Sequence, residues 1–189
     1  MGTEKRAGAA NAVEALISFR CNLAAKDREE NTPLHLAAPL ENGRDAVKLL
    51  VTAGAGIDAV NAKGESVVHA AAYAANKDTL GYLLDGGAEG TINLPDIKGQ
   101  MPLHIVAERG SVACINLICQ FGAEVNPIAQ GNGGLTPLGC ALIKGHADAA
   151  VALVKKGARV TDRFSEGMTV LHVAGIEGGI SGAGPVVEA

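Results

Sequence analysis

The chain has 189 residues, 48% of them hydrophobic but only 3% aromatic, with no tryptophan and a net charge of −4. One ordinary domain fits that length, and its core must come from Ala, Leu, Val and Ile, which suit thin stacked helices better than a wide interior. The acidic balance argues against general nucleic-acid binding, which needs a basic footprint, and no apolar run approaches the ~18 residues of a membrane span.

The start, Met1-Gly2-Thr3-Glu4-Lys5-Arg6, carries neither an apolar signal segment nor the myristoylation pattern. The first expected helix runs from Asn11 to Phe19. After it comes Thr32-Pro33-Leu34-His35-Leu36-Ala37-Ala38. This stretch returns, worn, at Ser66, Met101, Thr136 and Thr169, at intervals of 34, 35, 35 and 33 residues. In each copy a hydroxyl residue or its substitute can cap a first helix by accepting from a free backbone N–H. Pro33, Pro102 and Pro137 fit the first helical position, where a missing N–H costs nothing. Gly43, Gly110, Gly145 and Gly178 are expected to end that helix in the left-handed conformation.

Second helices follow as apolar stripes at i, i+3, i+4: Val47, Leu50 and Val51; Leu80, Leu83 and Leu84; Ile115, Ile118 and Cys119; Ala150, Leu153 and Val154. Gly54, Gly87, Gly122 and Gly157, each followed by Ala, terminate them. An extended arm comes next, with Gly64, Gly99, Gly134 or Gly167 permitting a hairpin turn before the next copy.

Departures mark weak points. Arg20 stands where a helix-ending Gly belongs. The run Pro39-Leu40-Glu41-Asn42 is expected to lengthen the first inter-helix turn. Ala75 replaces a turn Gly, and Asn76 is expected to take the unusual backbone angle in its place. The arms Glu89 to Ile97 and Glu124 to Gly133 are two residues longer than an interval of ~33 and are expected to reach further from the body. Gly179 to Ala189 is a poor helix former, so the last copy lacks a second helix.

A heptapeptide with this wording, returning at ~33 residues, marks the ankyrin repeat. The chain resembles an ankyrin-repeat protein from about Gly8 to Gly179. That resemblance implies an all-α repeat solenoid of helix-turn-helix units joined by β-hairpin loops. Residues 1–7 are then a disordered N-terminus, 8–179 the repeat domain and 180–189 a flexible Gly-rich tail. Within the domain a half repeat over 8–31 precedes four full repeats beginning near 32, 66, 101 and 136, and a half repeat starts at 169. Solenoids normally end in repeats with a polar outer face. Neither end has one, so the chain is expected to be cut from a longer protein or to pair through its ends, its expected state being a monomer or part of a longer chain.

Residues that look chemical fall into this template. His35, His69, His104 and His172 share one motif position, and the resemblance implies that this His bonds within the motif and toward the next hairpin. Thr32, Pro33, Leu34, Thr136, Pro137 and Thr169 are motif scaffold of the same kind, and His146 follows Gly145 in the family's Gly-His position. Gly139 replaces the motif His in the fourth full repeat and should soften that junction. Cys119 and Cys140 sit on expected core faces, where a thiol is inert; Cys21, after a surface turn, is the expected exposed thiol. No His, Cys or carboxylate constellation survives as a catalytic or metal site, so no enzyme activity, cofactor or metal is expected.

What remains is surface. In the family, partners lie on the concave face, made of hairpin tips and the exposed side of first helices. Carried over by position, the hairpin candidates are Arg28, Glu29, Asn31, Lys63, Glu65, Lys98, Gln100, Leu135 and Met168. The helix candidates are Leu40, Tyr73, Glu108, Arg109, Ile143, Lys144 and Ile176. Tyr73 and Arg109 are hot-spot residue types, and Leu135, Ile143 and Met168 form an expected exposed apolar trio. The resemblance thus implies an intracellular or cytoplasmic protein–protein interaction module, a scaffold or adaptor binding protein partners. The alternative is a regulatory or targeting domain of a larger enzyme, channel or transferase.

Overall fold

Proline placement decides where helices begin. The computed structural model describes residues 12–40, 42–163 and 169–172, and in it Pro33, Pro102 and Pro137 each open a helix. A first helix, α1, covers residues 12–18. Four helix pairs follow: α2 (Pro33–Ala37) with α3 (Gly43–Thr52), α4 (Val67–Tyr73) with α5 (Lys77–Asp85), α6 (Pro102–Glu108) with α7 (Val112–Gln120), and α8 (Pro137–Ile143) with α9 (Ala147–Lys155). Residues 170–172 start a last helix, α10. Among the described residues extended backbone is limited to three isolated antiparallel bridges: Val60–Ser66, Ala129–Leu135 and Arg163–Thr169.

Side chains cap these helices as the motif requires. Ser66 Oγ accepts from the His69 N–H, Thr136 Oγ1 from Gly139, Asn76 Oδ1 from Thr79 and Ser111 Oγ from Cys114. The chain forms two compact units, Met1–Thr91 and Ile92–Ala189. In the first, α2 packs on α3 and α4, and α5 on α3 and α4; in the second, α6 packs on α7 and α8, and α9 on α7 and α8. Their cores are small and aliphatic: Leu34, Val47, Val68, Ala71, Leu80 and Leu83 in one, Leu103, Val106, Ile115, Ile118, Leu138 and Leu153 in the other. Each such Leu, Ile or Val side chain, fully buried, contributes roughly 1.5–3 kcal/mol of transfer free energy.

Three expectations need correction. Gly43 does not end a helix in the left-handed conformation; it is the buried first residue of α3, where a Cβ would strike the Ala37 carbonyl oxygen. The run from Pro39 does lengthen the first inter-helix turn, as expected: five residues separate α2 from α3, against three in each of the other pairs. All four second helices still begin ten residues after their partners, so the longer turn comes from a shorter α2, five residues against seven. Proline has no N–H to continue the helix ladder, so α2 stops early.

Asn76 keeps an ordinary φ of −84°, and Ala75 takes the left-handed turn itself at φ 51°. Asn76 is not free to move there, because its side chain caps α5 and its Nδ2 donates to the Leu40 carbonyl at 3.2 Å. The third arm does not reach outward. Its two additional residues are taken up by a 3-10 turn, Ala88–Thr91, with Ala88, Thr91 and Ile92 buried. Only the fourth arm enlarges its tip, where a second 3-10 turn, Gln130–Asn132, lies between Ala129 and Leu135. The expectations for Gly167, Met168, Ile176, Gly178, the tail and the chain start lie outside the described residues.

Candidate interaction surface

Three hairpins are each closed by one side chain that sequence reasoning overlooked. Asp27 Oδ1 accepts from the N–H groups of Glu29 and Asn31 at 2.9 and 2.8 Å. Asn61 Oδ1 accepts from Lys63 and Glu65 at 2.9 and 3.0 Å, and Asp96 Oδ1 from Lys98 and Gln100, both at 2.8 Å. The signal was present: an Asp or Asn stands five residues before Thr32, Ser66 and Met101. Such side chains replace a backbone turn bond and so fix the loop locally. The Asn31 amide beside Asp27 holds that carboxyl below its ordinary range.

Neighbouring hairpins within a unit are stitched together. The Ala62 N–H donates to the Glu29 carbonyl and Asn61 Nδ2 to Asn31 Oδ1, each at 2.9 Å. In the second unit Gly131 N–H donates to the Lys98 carbonyl at 2.9 Å. A side chain at position 131 would place its Cβ 2.8 Å from Lys98 Cα, so glycine permits that approach.

The motif histidines tie helices to hairpins. His35 Nδ1 accepts from the Thr32 N–H at 3.3 Å, and His104 Nδ1 from the Met101 N–H at 3.0 Å. A backbone N–H can only donate, so the ring proton belongs on Nε2. His35 Nε2 then donates to the Glu65 carbonyl at 3.1 Å, and His104 Nε2 to the Leu135 carbonyl at 3.2 Å. His69 Nδ1 and His172 Nδ1 accept in the same way from Ser66 and Thr169. His146 Nε2 donates to the Glu108 carbonyl at 3.1 Å, joining the turns of consecutive helix pairs. Burial pushes the His35 and His104 rings toward the neutral form.

The candidate contact residues divide between the units. In the first, Arg28, Glu29 and Lys63 are exposed on hairpin tips, and Asn31, Glu65 and Tyr73 are half-buried beside them. Tyr73 Oη donates to Glu65 Oε1 at 3.1 Å. Lys63 Nζ lies 3.7 Å from Glu29 Oε2, an exposed pair that adds little stability. In the second, Lys98, Arg109 and Lys144 are exposed, and Glu108 is half-buried with its carboxylate 3.1 Å from Lys144 Nζ.

Leu135 and Ile143 are half-buried rather than exposed, since Leu135 is drawn into the hairpin bridge and Ile143 into the end of α8. Gln100 is buried, 7% exposed, and so presents no open side chain to a partner. Exposed apolar residues that escaped notice include Ile97, 72% exposed at a hairpin tip, and Leu36 on α2.

Cys21 is exposed, whereas Cys114 and Cys140 are buried. Burial pushes the Cys140 thiol up to about 12 and raises that of Cys119, away from the thiolate that reacts. Among the described residues no group of three or more His, Cys, Asp or Glu side chains could hold a metal ion, and no helix is long and apolar enough to cross a membrane. The groove between α7 and α9, lined by Val112, Asn116, Asp148, Val151, Ala152 and Lys155, is shallow and opens to solvent.

Comparison with known proteins agrees with this geometry. A family model for ankyrin repeats, in three copies, matches residues 38–129 and 68–164. The chain is 32% identical over 153 residues to a transient receptor potential cation channel subfamily A member 1 homologue from Caenorhabditis elegans, covering 80% of this chain and 12% of that protein. It is 30% identical over 145 residues to the mouse B-cell lymphoma 3 protein homologue, covering 76% and 32%. It is 32% identical over 145 residues to the nuclear factor NF-kappa-B p105 subunit of Gallus gallus, covering 76% and 14%. The chain therefore spans no more than a third of the length of these relatives.

Proposed function

This chain belongs to the ankyrin-repeat family, and on that premise we propose that it is a protein–protein interaction module, holding a partner protein on its hairpin tips and the exposed side of its first helices. Ankyrin repeats are non-catalytic interaction modules, and their fold class is an all-α repeat solenoid. The observation that carries the proposal is the fixed hairpin. Asp27, Asn61 and Asp96 close three turns, and His35 and His104 tie the hairpins at Glu65 and Leu135 to first helices, while Arg28, Lys63 and Lys98 remain exposed at the tips. Contacts offered from a rigid backbone lose little conformational freedom on binding.

The division into four full repeats starting near residues 32, 66, 101 and 136, flanked by half repeats, belongs to the same proposal and is supported by the constant spacing of helix starts. Intracellular placement belongs to it too, since free cysteines suit a reducing compartment. Affinity capture from a native extract identifies the partner, and titration against variants tests the surface. Tyr73→Ala combined with Arg109→Ala should weaken that partner by about 2 kcal/mol or more; unchanged affinity removes both residues from the binding surface.

A second reading is favoured by the relatives, in which matched segments occupy a small share of much longer proteins, one named as a cation channel. In that reading the module regulates or targets a larger protein. Coding sequence flanking this chain distinguishes the two, because a catalytic or membrane-spanning segment there selects the second.

A further inference from the structure

The residue that precedes each motif copy is Asn31, Glu65, Gln100, Leu135 and Met168 in turn, and only Glu65 is of a charged type. Its backbone is pinned twice, with its N–H donating to Asn61 Oδ1 at 3.0 Å and its carbonyl accepting from His35 Nε2 at 3.1 Å. The carboxylate is pinned as well. Oε1 accepts from Tyr73 Oη at 3.1 Å, and Oε2 accepts from Asn61 Nδ2 at 2.9 Å. Asn61, 7% exposed, is itself anchored by donation to Asn31 Oδ1.

Both donors to this carboxylate are neutral. Among the described residues no cation lies within ion-pair distance of Glu65: Lys63 faces Glu29, and Lys26 pairs with Glu30 at 2.9 Å. The Glu65 carboxylate is thus half-buried, without an ion-pair partner, and held in one orientation. Each carboxylate oxygen accepts one bond and has capacity for another. A planar guanidinium spans two such oxygens with two parallel N–H donors, which an ammonium cannot do.

We propose that Glu65, oriented by Tyr73 and Asn61, is the receptor for an arginine side chain of the partner protein. This rests on the reading of the chain as a protein-binding module and names the chemistry of one contact within it. The carboxylate supplies charge and geometry, and the two neutral donors remove the cost of ordering it on binding.

The test uses the full chain and a phage-displayed library of random peptides about twelve residues long. Selected peptides are synthesised and titrated against the wild type, Glu65→Gln, Tyr73→Phe and, on α9, Lys155→Ala. The expected result is peptides sharing an arginine, whose affinity drops about tenfold or more for Glu65→Gln and less for Tyr73→Phe. Lys155→Ala leaves it unchanged, and replacing the peptide arginine by lysine weakens binding to the wild type. Thermal midpoints for each variant show that the fold is kept, and Tyr73→Phe carries the test if Glu65→Gln is destabilised. Peptides that bind yet are indifferent to both changes overturn the arginine receptor and leave the module reading standing. A library that yields no binder counts against the module reading itself.

Discussion

Three residues with side chains sit where the other repeats place glycine. Arg20, Glu30 and Ala75 have φ of 55°, 62° and 51°, a region that costs an L-residue roughly 1–2 kcal/mol. Ala75 is the informative one, since its counterparts Gly110 and Gly145 have φ of 70° and 71°. Ala75→Gly should raise stability by about 1 kcal/mol, read as a higher urea midpoint with unchanged slope; a lower midpoint means that the methyl contributes more by packing. The two glycines form a second comparison. A Cβ on Gly145 meets nothing within 4 Å, whereas one on Gly110 falls 2.6 Å from the His146 ring. Gly145→Ala should therefore cost about 1 kcal/mol and Gly110→Ala about 2–3 kcal/mol. Adding His146→Ala should remove the excess, and a double-mutant cycle with no coupling refutes the steric account.

At the level of the hairpin, the motif histidines make stability depend on pH. His35 and His104 must stay neutral on Nδ1 to accept a backbone N–H, and burial lowers the pKa of both from 6.5. Below about pH 6.5 the unfolded chain binds a proton that the folded chain refuses. Their contribution is thus complete above 6.5 and is lost as pH falls from there toward the folded values. Denaturation midpoints from pH 8 to about 5 should be flat and then decline. A His35→Asn, His104→Asn double variant should be less stable throughout but lose part of that decline. Asp27 acts in a lower window: its carboxyl is held below 3.8 first by Asn31, so its contribution disappears only as pH falls through that lowered value. A decline of equal size in the double variant assigns the midrange effect elsewhere.

For the whole molecule, cysteine burial offers a reporter of opening. Cys21 is exposed, while Cys114 and Cys140 are buried in the unit Ile92–Ala189. Pulsed alkylation of the native chain should modify Cys21 first, and Cys21→Ser should abolish that phase. Cys114 and Cys140 should react only as the second unit opens, with denaturant dependence matching its unfolding. Early modification of Cys140 contradicts the packing of α8 described here. At this scale the positions of helices, caps and punctuating glycines were readable in the sequence because they depend on local backbone preference repeated at a constant interval. Gly43 and Asn76 were misread where the nearest glycine or asparagine was taken in place of the position set by that interval. The turn-closing Asp27, Asn61 and Asp96 were equally readable, five residues before their motifs, and were overlooked.

Thr32-Pro33-Leu34-His35 and its copies determined by themselves that this is an ankyrin-repeat chain, because capping, proline at a helix start and i, i+3, i+4 burial are properties of short segments. Which polar residues stand exposed and oriented was decided only by the tertiary structure. Gln100 and Glu65 occupy the same repeat position, yet one is buried and the other is held half exposed by Tyr73 and Asn61. That difference depends on side chains brought in from the first helix and the hairpin, and on a neighbouring hairpin 30 residues away in the chain. Local periodicity carries no information about such contacts.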